Sequence, residues 1–383
     1  MILRKTYNRY IASRNLWVLS IIAMCLLILG GCTPNLMGGA GWSGVLVDDG
    51  LTYVGSGDGK LIALDSNTGY PKWYFPEEDS DIDLNGIYAP PAISDSTVYV
   101  AGYNGKLYAV DLDSHRRIWD FSADSHIVAS PYLVDDLVIF GSSDNVLYAV
   151  DAYQGFERWR FEADGAIWST PSAYGDILYF GSLDKNIYAI AVRDTEKYSA
   201  GELIWTFTTG GAIASSPLIH DGKVFIGSFD YGLYALDAMT GDPAWPEPFK
   251  ANNWFWARPV SDGANIYAGS LDGNIYAIDS KTGRQIWPNP FETGGPIVAS
   301  PTLIPEGLVA ASDDGNVYLI RVSDGREIRS FSNEEKIRAP LISVGSSIYL
   351  SDMGHILRSA DLEDGFWRER WCYNTKEDNN KCD

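Results

Sequence analysis

Histidine and cysteine are scarce in this 383-residue chain, four of each, and nowhere do they fall at the spacing of a zinc site. His115, His126, His220 and His355 stand far apart without local companions, so each reads as a solvent or turn residue. Positive charge is also in deficit, with 29 lysines and arginines against 50 aspartates and glutamates. So acidic a surface repels nucleic acid and anionic lipid headgroups and favours basic or cationic partners. Low-complexity tracts are absent and 46% of residues are hydrophobic, which excludes a disordered chain.

What the chain has instead is a unit of about forty residues, clearest as A-x-D-x-x-x-G-x-x-x-W. Its full copies are Ala63, Asp65, Gly69, Trp73; Ala149, Asp151, Gly155, Trp159; Ala235, Asp237, Gly241, Trp245; and Ala277, Asp279, Gly283, Trp287. Two copies are imperfect: Ala109, Asp111 and Trp119 carry His115 in the glycine slot, and Ala189 to Trp205 holds an insertion around residues 193–200. The tryptophans at 73, 119, 159, 205, 245 and 287 stand 46, 40, 46, 40 and 42 residues apart. That is the period of propeller blades and too long for a helical hairpin repeat of about 34 residues.

Upstream of each copy an alternating strand ends on small residues, as in Val54-Gly55-Ser56, Phe140-Gly141-Ser142 and Ile226-Gly227-Ser228, and an Asp/Asn/Gly turn follows. Before that lies a strand opened by a small residue and proline: Ser130-Pro131, Thr170-Pro171, Ser216-Pro217, Ser300-Pro301, Ala339-Pro340. Each unit therefore holds four strands. Gly55, Gly102, Gly141, Gly181, Gly227, Gly269, Ala310 and Leu350 mark the second-strand endings of eight blades. The last two are degraded: Leu319, Arg321, Gly325 and Arg329 stand for the motif in blade seven, and Ser359, Asp361, Gly365 and Glu369 in blade eight, with Trp371 nearby. Residues 42–47 align with a first strand and 366–373 with a last one, so the ring closes without requiring strand exchange.

The motif has a mechanical reading. Alternation puts Leu61, Ala63 and Asp65 on one face, Gly69 supplies the positive φ of a tight turn, and Trp73 can lie over the next blade. Trp73, Trp119, Trp159, Trp205, Trp245 and Trp287 are then cement between blades. Prolines in Trp245-Pro246-Glu247-Pro248-Phe249 and Trp287-Pro288-Asn289-Pro290-Phe291 suit an outermost strand with an exposed edge.

The signature resembles the tryptophan-docking repeat of the PQQ-like, quinoprotein alcohol dehydrogenase-like propellers, over nearly all of the chain. The resemblance implies an all-β, eight-bladed propeller of four-stranded antiparallel blades. That family contains quinoprotein dehydrogenases and also cofactor-free lipoproteins of the BamB type, so the motif speaks for the fold and little for activity. The dehydrogenases usually carry a longer chain, vicinal cysteines beside the quinone and a calcium-binding carboxylate and amide set. No Cys-Cys pair occurs here.

Arg4, Lys5, Arg9 and Arg14 form a basic segment, residues 16–29 an apolar one, and Leu29-Gly30-Gly31-Cys32 resembles a bacterial lipobox. The apolar run is shorter than the roughly 20 residues a spanning helix needs. Residues 1–31 are thus expected to be a lipoprotein signal peptide, Cys32 the lipidated residue, 32–41 a short tether, 42–373 the propeller and 374–383 a tail; the alternative is an uncleaved anchor over 16–37. Either places the propeller outside the cytoplasmic membrane, on the cell membrane or, as Thr33 rather than an aspartate suggests in a two-membrane cell, the outer membrane. Removing residues 1–31 takes away four basic and no acidic side chains and leaves 25 against 50, a net charge of −25. Cys372 and Cys382 remain, either as a disulfide pinning the tail to the last blade or as two free thiols.

Three other features bear on sites. Asp58, Asp144, Asp184, Asp230, Asp272, Asp314 and Asp352 recur at one turn, either as a carboxylate ring or because Asp suits such turns. Asp81, Asp83 and Asn85, followed by Gly86, match the first half of a calcium loop, but Ala92 stands where the bidentate glutamate belongs; calcium there would need Glu77, Glu78 or Asp79, and an acidic loop is the alternative. The segments before each first strand surround one mouth of the channel, and there Tyr88, Trp168, Trp254, Trp256, Arg258 and Arg338 form a candidate surface for a planar or anionic ligand or a peptide. The alternative is that they plug the channel. The reading that follows is a monomeric, non-catalytic, lipid-anchored scaffold that binds envelope or secreted proteins, without cofactor. A PQQ- or small-ligand-binding sensor, or a quinoprotein dehydrogenase-like enzyme, stands as its alternative.

Overall fold

Short runs of Val, Ile, Leu, Tyr and Phe alternate with turns built on Asp and Gly, and in the described residues they fold as 32 strands in eight antiparallel four-stranded sheets. The computed structural model describes residues 43–77, 80–363 and 366–382. The expected leader, Cys32 and tether lie outside these residues, as do Trp42, Glu78, Asp79 and Gly365.

The blades span residues 45–75, 92–122, 132–162, 172–208, 218–250, 260–292, 302–332 and 342–374. First strands touch one another from blade to blade and so line the axis. Second strands are buried on both faces, as in Leu137–Gly141, whereas outer strands such as Glu157–Glu162 alternate between half-buried and exposed residues. In blades five and six the outer strand shrinks to Phe249–Lys250 and Phe291–Glu292, because the Trp-Pro-x-Pro segments before them cannot donate to a ladder.

Apolar side chains gather between blades rather than within them. Tyr53, Ala63 and Trp73 of the first blade pack on Val98, Tyr108 and Val110 of the second, and comparable clusters fill the junctions around the ring. The eighth blade meets the first through Tyr349, Leu357, Trp371 and Tyr373 against Val45, Val54, Ile62 and Leu64. All four strands of each of these blades come from contiguous sequence, so the ring closes without strand exchange.

Each docking tryptophan reaches across a junction. Indole N–H groups of Trp119, Trp159, Trp205, Trp245 and Trp287 donate to the carbonyls of Ala152, Val192, Ala238, Ser280 and Val322 on the following blade, at 2.8–3.1 Å. The motif glycine of that blade lies under the ring: a Cβ on Gly155 would sit 2.5 Å from Trp119, and one on Gly325 2.5 Å from Trp287. In the second blade His115 takes the glycine slot at φ 60° and stacks on Trp73, centroids 4.7 Å apart, so it is a docking residue rather than a solvated one.

Pairing register and one turn hydrogen bond correct five sequence assignments. Second strands of blades two, seven and eight end at Ala101, Ala311 and Ser351, one residue beyond or before the Gly102, Ala310 and Leu350 of the sequence pattern, because these are the residues that pair as Gly141 does with Leu147. In blade eight the tryptophan slot belongs to Trp371, which pairs with Ser359 as Trp159 pairs with Ala149, while Glu369 pairs with Ala360 beyond the bulge. The longer hairpin of Ile356–Glu363 and Phe366–Asn374 hides that equivalence. Asp352 stands at the place of Ser142 rather than Asp144, since its N–H bonds the Ile356 carbonyl as that of Ser142 bonds Val146.

Candidate functional site

Turn aspartates build one end of the ring. Asp144 accepts the N–H of Val146, the Tyr148 hydroxyl and the N–H of Asp124 in the segment arriving from the previous blade. Asp184, Asp272 and Asp314 repeat this pattern with Tyr188, Tyr276 and Tyr318. These carboxylates are spent on pinning loops and do not form an open acidic ring. Burial, reinforced by the neighbouring aspartate, pushes the Tyr188 and Tyr318 phenols up to about 12. At Asp230 burial alone would raise the pKa, but the Tyr234 hydroxyl and the Gly210 and Gly232 N–H groups hold it below the usual value.

With loops so fixed, two rings of residues meet at the mouth. One is the variable position before each first strand; the other is the residue following the turn serine, whose N–H bonds the incoming segment, as Ser143 does to His126 and Phe229 to Ala212. The second ring was missed in the sequence, although the variable x of the repeated G-S-x-D turn marks it. It partners the first ring closely. Phe229 stacks on Trp254 at 4.3 Å and 9° and on Trp256 at 5.4 Å and 22°, and Trp168 lies 6.4 Å from Trp256. The Trp168 indole donates to Ser143 Oγ at 3.1 Å. Tyr88 lies 4.8 Å from Tyr103, which stacks on His126 at 4.0 Å.

Candidate residues thus divide. Trp168, Trp254 and Trp256 come together, with Phe229, as a half-buried aromatic wall. Tyr88 sits apart with Tyr103, its phenol pKa raised by burial and then by Tyr103. The Arg338 guanidinium forms a fork with Asp313, Nε to Oδ1 at 3.0 Å and Nη2 to Oδ2 at 2.6 Å. Arg258 lies inside the channel, lining a cavity of about 430 Å³ with Tyr132, Ser172 and Thr302.

Asp81, Asp83 and Asn85 are exposed. Asp83 Oδ1 accepts the Asn85 N–H at 2.8 Å, and its carbonyl accepts from Asn104 Nδ2. Among the described residues no group of three or more His, Cys, Asp or Glu gathers as a metal ion would require. Cys372 and Cys382 form a disulfide with Cα atoms 6.3 Å apart.

A family model described as outer membrane protein assembly factor BamB matches residues 78–198 and 196–365. Curated relatives of that name, from Legionella pneumophila (strain Paris) and Pseudomonas aeruginosa, are 37% identical over 91 residues and 30% identical over 87. These alignments take in 22% and 21% of this chain and only 23% of each relative. Among solved structures, BamB from Moraxella catarrhalis superposes with a TM-score of 0.70 at 17% identity, over 85% of this chain and 96% of that one. The computationally designed Ika8 protein gives 0.69 at 14% identity, over 86% and 96%. At such identities both structures show a shared fold alone.

Proposed function

This chain belongs to the family of the outer membrane protein assembly factor BamB, and on that premise we propose that it is a non-catalytic, lipid-anchored scaffold that binds protein partners during outer membrane protein assembly. Its anchor is Cys32 of the Leu29-Gly30-Gly31-Cys32 lipobox, with Thr33 directing it to the outer membrane. Its ring is complete within one chain, which suits a monomer.

The observation that carries the reading is the aromatic wall of Trp168, Phe229, Trp254 and Trp256 at the mouth. Stacked, half-buried rings offer a large contact area at low entropic cost, the composition of interface hot spots. The acidic excess of the chain as a whole, 50 aspartates and glutamates against 29 lysines and arginines, favours a partner with basic character.

The test is crosslinking of the full-length chain in its host with Trp254 and Trp256 replaced by alanine. Loss of crosslinks to envelope proteins, with folding intact, is the expected result; retention of every crosslink would move the interaction to the blade rim or the opposite mouth. Replacing Cys32 with serine is expected to release the chain from the membrane fraction. A saturable thermal shift with PQQ and calcium would overturn the non-catalytic reading in favour of a quinoprotein-like one.

A further inference from the structure

The residue before each first-strand proline forms a ring in the channel, and hydroxyls recur there: Ser130, Thr170, Ser216 and Ser300. Their role is mutual. Ser130 N–H donates to Thr170 Oγ1 at 3.1 Å, Thr170 N–H to Ser216 Oγ at 3.0 Å, and Arg258 N–H to Ser300 Oγ at 3.1 Å. Arg258 occupies the position of a hydroxyl and gives up one such bond, since a guanidinium accepts nothing.

Its side chain has one hydrogen-bond partner among the described residues. Nε donates to the Pro217 carbonyl at 3.2 Å, and the terminal nitrogens make no hydrogen bond to the described residues. Arg338, at the same end of the ring, has its fork filled by Asp313. Among the described residues an acidic side chain thus meets one of these arginines and none meets the other. The Arg258 side chain is open to channel water, yet the protein around it presses the guanidinium pKa below its usual value, opposed only by Tyr132. It stays charged, as guanidinium does throughout the physiological range.

We infer that the channel is a binding site for a small monocarboxylate, with Arg258 as its anion-binding group. The cavity of about 430 Å³ falls within the range of small-molecule sites. Ser172 and Thr302, whose hydroxyls bond the Pro217 carbonyl and Ser343 Oγ, lie on its wall, while Val260, Leu341 and Ile342 give it an apolar flank. One cation balances one negative charge, and an apolar flank suits a carbon skeleton; a dianion would be left half-compensated in a partly desolvated space. The planar fork matches a carboxylate in two parallel bonds. The carboxylate belongs either to a free acid or to the C-terminus of a chain entering from the mouth.

The test uses the full-length chain in detergent, titrated calorimetrically with benzoate and with hexanoate. Saturable binding of one of them is expected, weakened at least tenfold in Arg258→Ser, the residue the repeat carries at Ser216 and Ser300, and weakened less in Arg258→Lys. Sulfate is expected not to compete. Short peptides with free and with amidated C-termini separate the two sources: binding of the free form alone assigns a chain terminus, and benzoate binding without either peptide assigns a free acid. The inference is overturned if neither acid binds the wild type saturably, or if Arg258→Ser binds as tightly. Trp254→Ala with Trp256→Ala should leave benzoate binding intact, which keeps this site distinct from the scaffold reading.

Discussion

The indole N–H of Trp371 donates to the Ser66 carbonyl at 2.9 Å, across 305 positions of sequence, and its ring covers Gly69. Propeller closure here rests on the same docking contact that joins successive blades, reinforced by Arg370 on Asn67 and Asn380 on the Gly69 carbonyl. Replacing Trp371 by alanine removes a buried indole and orphans a buried carbonyl, and should cost about 3–5 kcal/mol. Trp371→Phe keeps most of the area and should cost about 1–3 kcal/mol. Denaturant unfolding of both variants checks the order; equal effects would mean that the loss they share, the indole N–H to the Ser66 carbonyl, accounts for the whole cost and the remaining ring area for none of it.

A contrast between glycines separates backbone strain from crowding. Gly69 at φ 71° has the Trp371 ring 2.6 Å from where a Cβ would stand, whereas Gly175 at φ 60° has nothing within 4 Å. Gly175→Ala should therefore lose only the cost of a left-handed residue, about 1–2 kcal/mol. Gly69→Ala must in addition displace the closing indole and should be the more destabilising by thermal melting.

Asp352 is 1% exposed, and burial raises its carboxyl above the ordinary 3.8 despite bonds from the Ile356 N–H and Asn333 Nδ2. A carboxyl whose folded pKa is raised binds protons more readily in the folded state, so stability falls as pH rises from 3.8 through the folded value and is level beyond it. Asp65, Asp111 and Asp279, held low chiefly by Thr68, Ser114 and Thr282, act oppositely and lose stability as pH falls. The difference between wild type and Asp352→Asn isolates the buried group. Asn333 Oδ1 has no partner among the described residues, and a turned Asn333 amide would accept from the side-chain NH2 that this substitution introduces, giving up its own bond to the Glu335 carbonyl. We expect Asp352→Asn to stabilise the protein at pH 7 by about 1 kcal/mol and the gain to vanish on acidification.

Blade number, strand number and the docking role of Trp73 to Trp287 were legible because repetition multiplies the signal and period-two alternation is local. The eighth blade resisted because its longer hairpin moves Trp371 two residues beyond the motif spacing, and pairing register, a long-range property, alone restores it. The mouth was half legible. Its tryptophans stood out as variable aromatic residues in a repeat, whereas Phe229, Tyr103 and Asp313 belong to a different turn and join them only in three dimensions. No local pattern could tell that, among the described residues, Arg338 has an acidic partner and Arg258 none.

The tail offers the last prediction. The Cys372–Cys382 disulfide spans ten residues, and Asp378 within that loop accepts from the Tyr74 hydroxyl at 2.7 Å and is also bonded by Tyr373. Tyr74 belongs to the first blade, so the bridge holds a segment that clasps both sides of the closure. A loop of that length restricts the unfolded chain by about 2–3 kcal/mol. If the clasp acts only through that entropy, Cys372→Ser with Cys382→Ser should lower stability by this amount and leave the first and eighth blades equally protected. If the tail also braces the junction, the same variant should raise hydrogen exchange selectively in Pro71–Phe75 and Phe366–Asn374. The contacts of Asn380 with Gly69 and of Asp378 with Tyr74 favour the second outcome, and exchange that rises evenly over all blades would refute it.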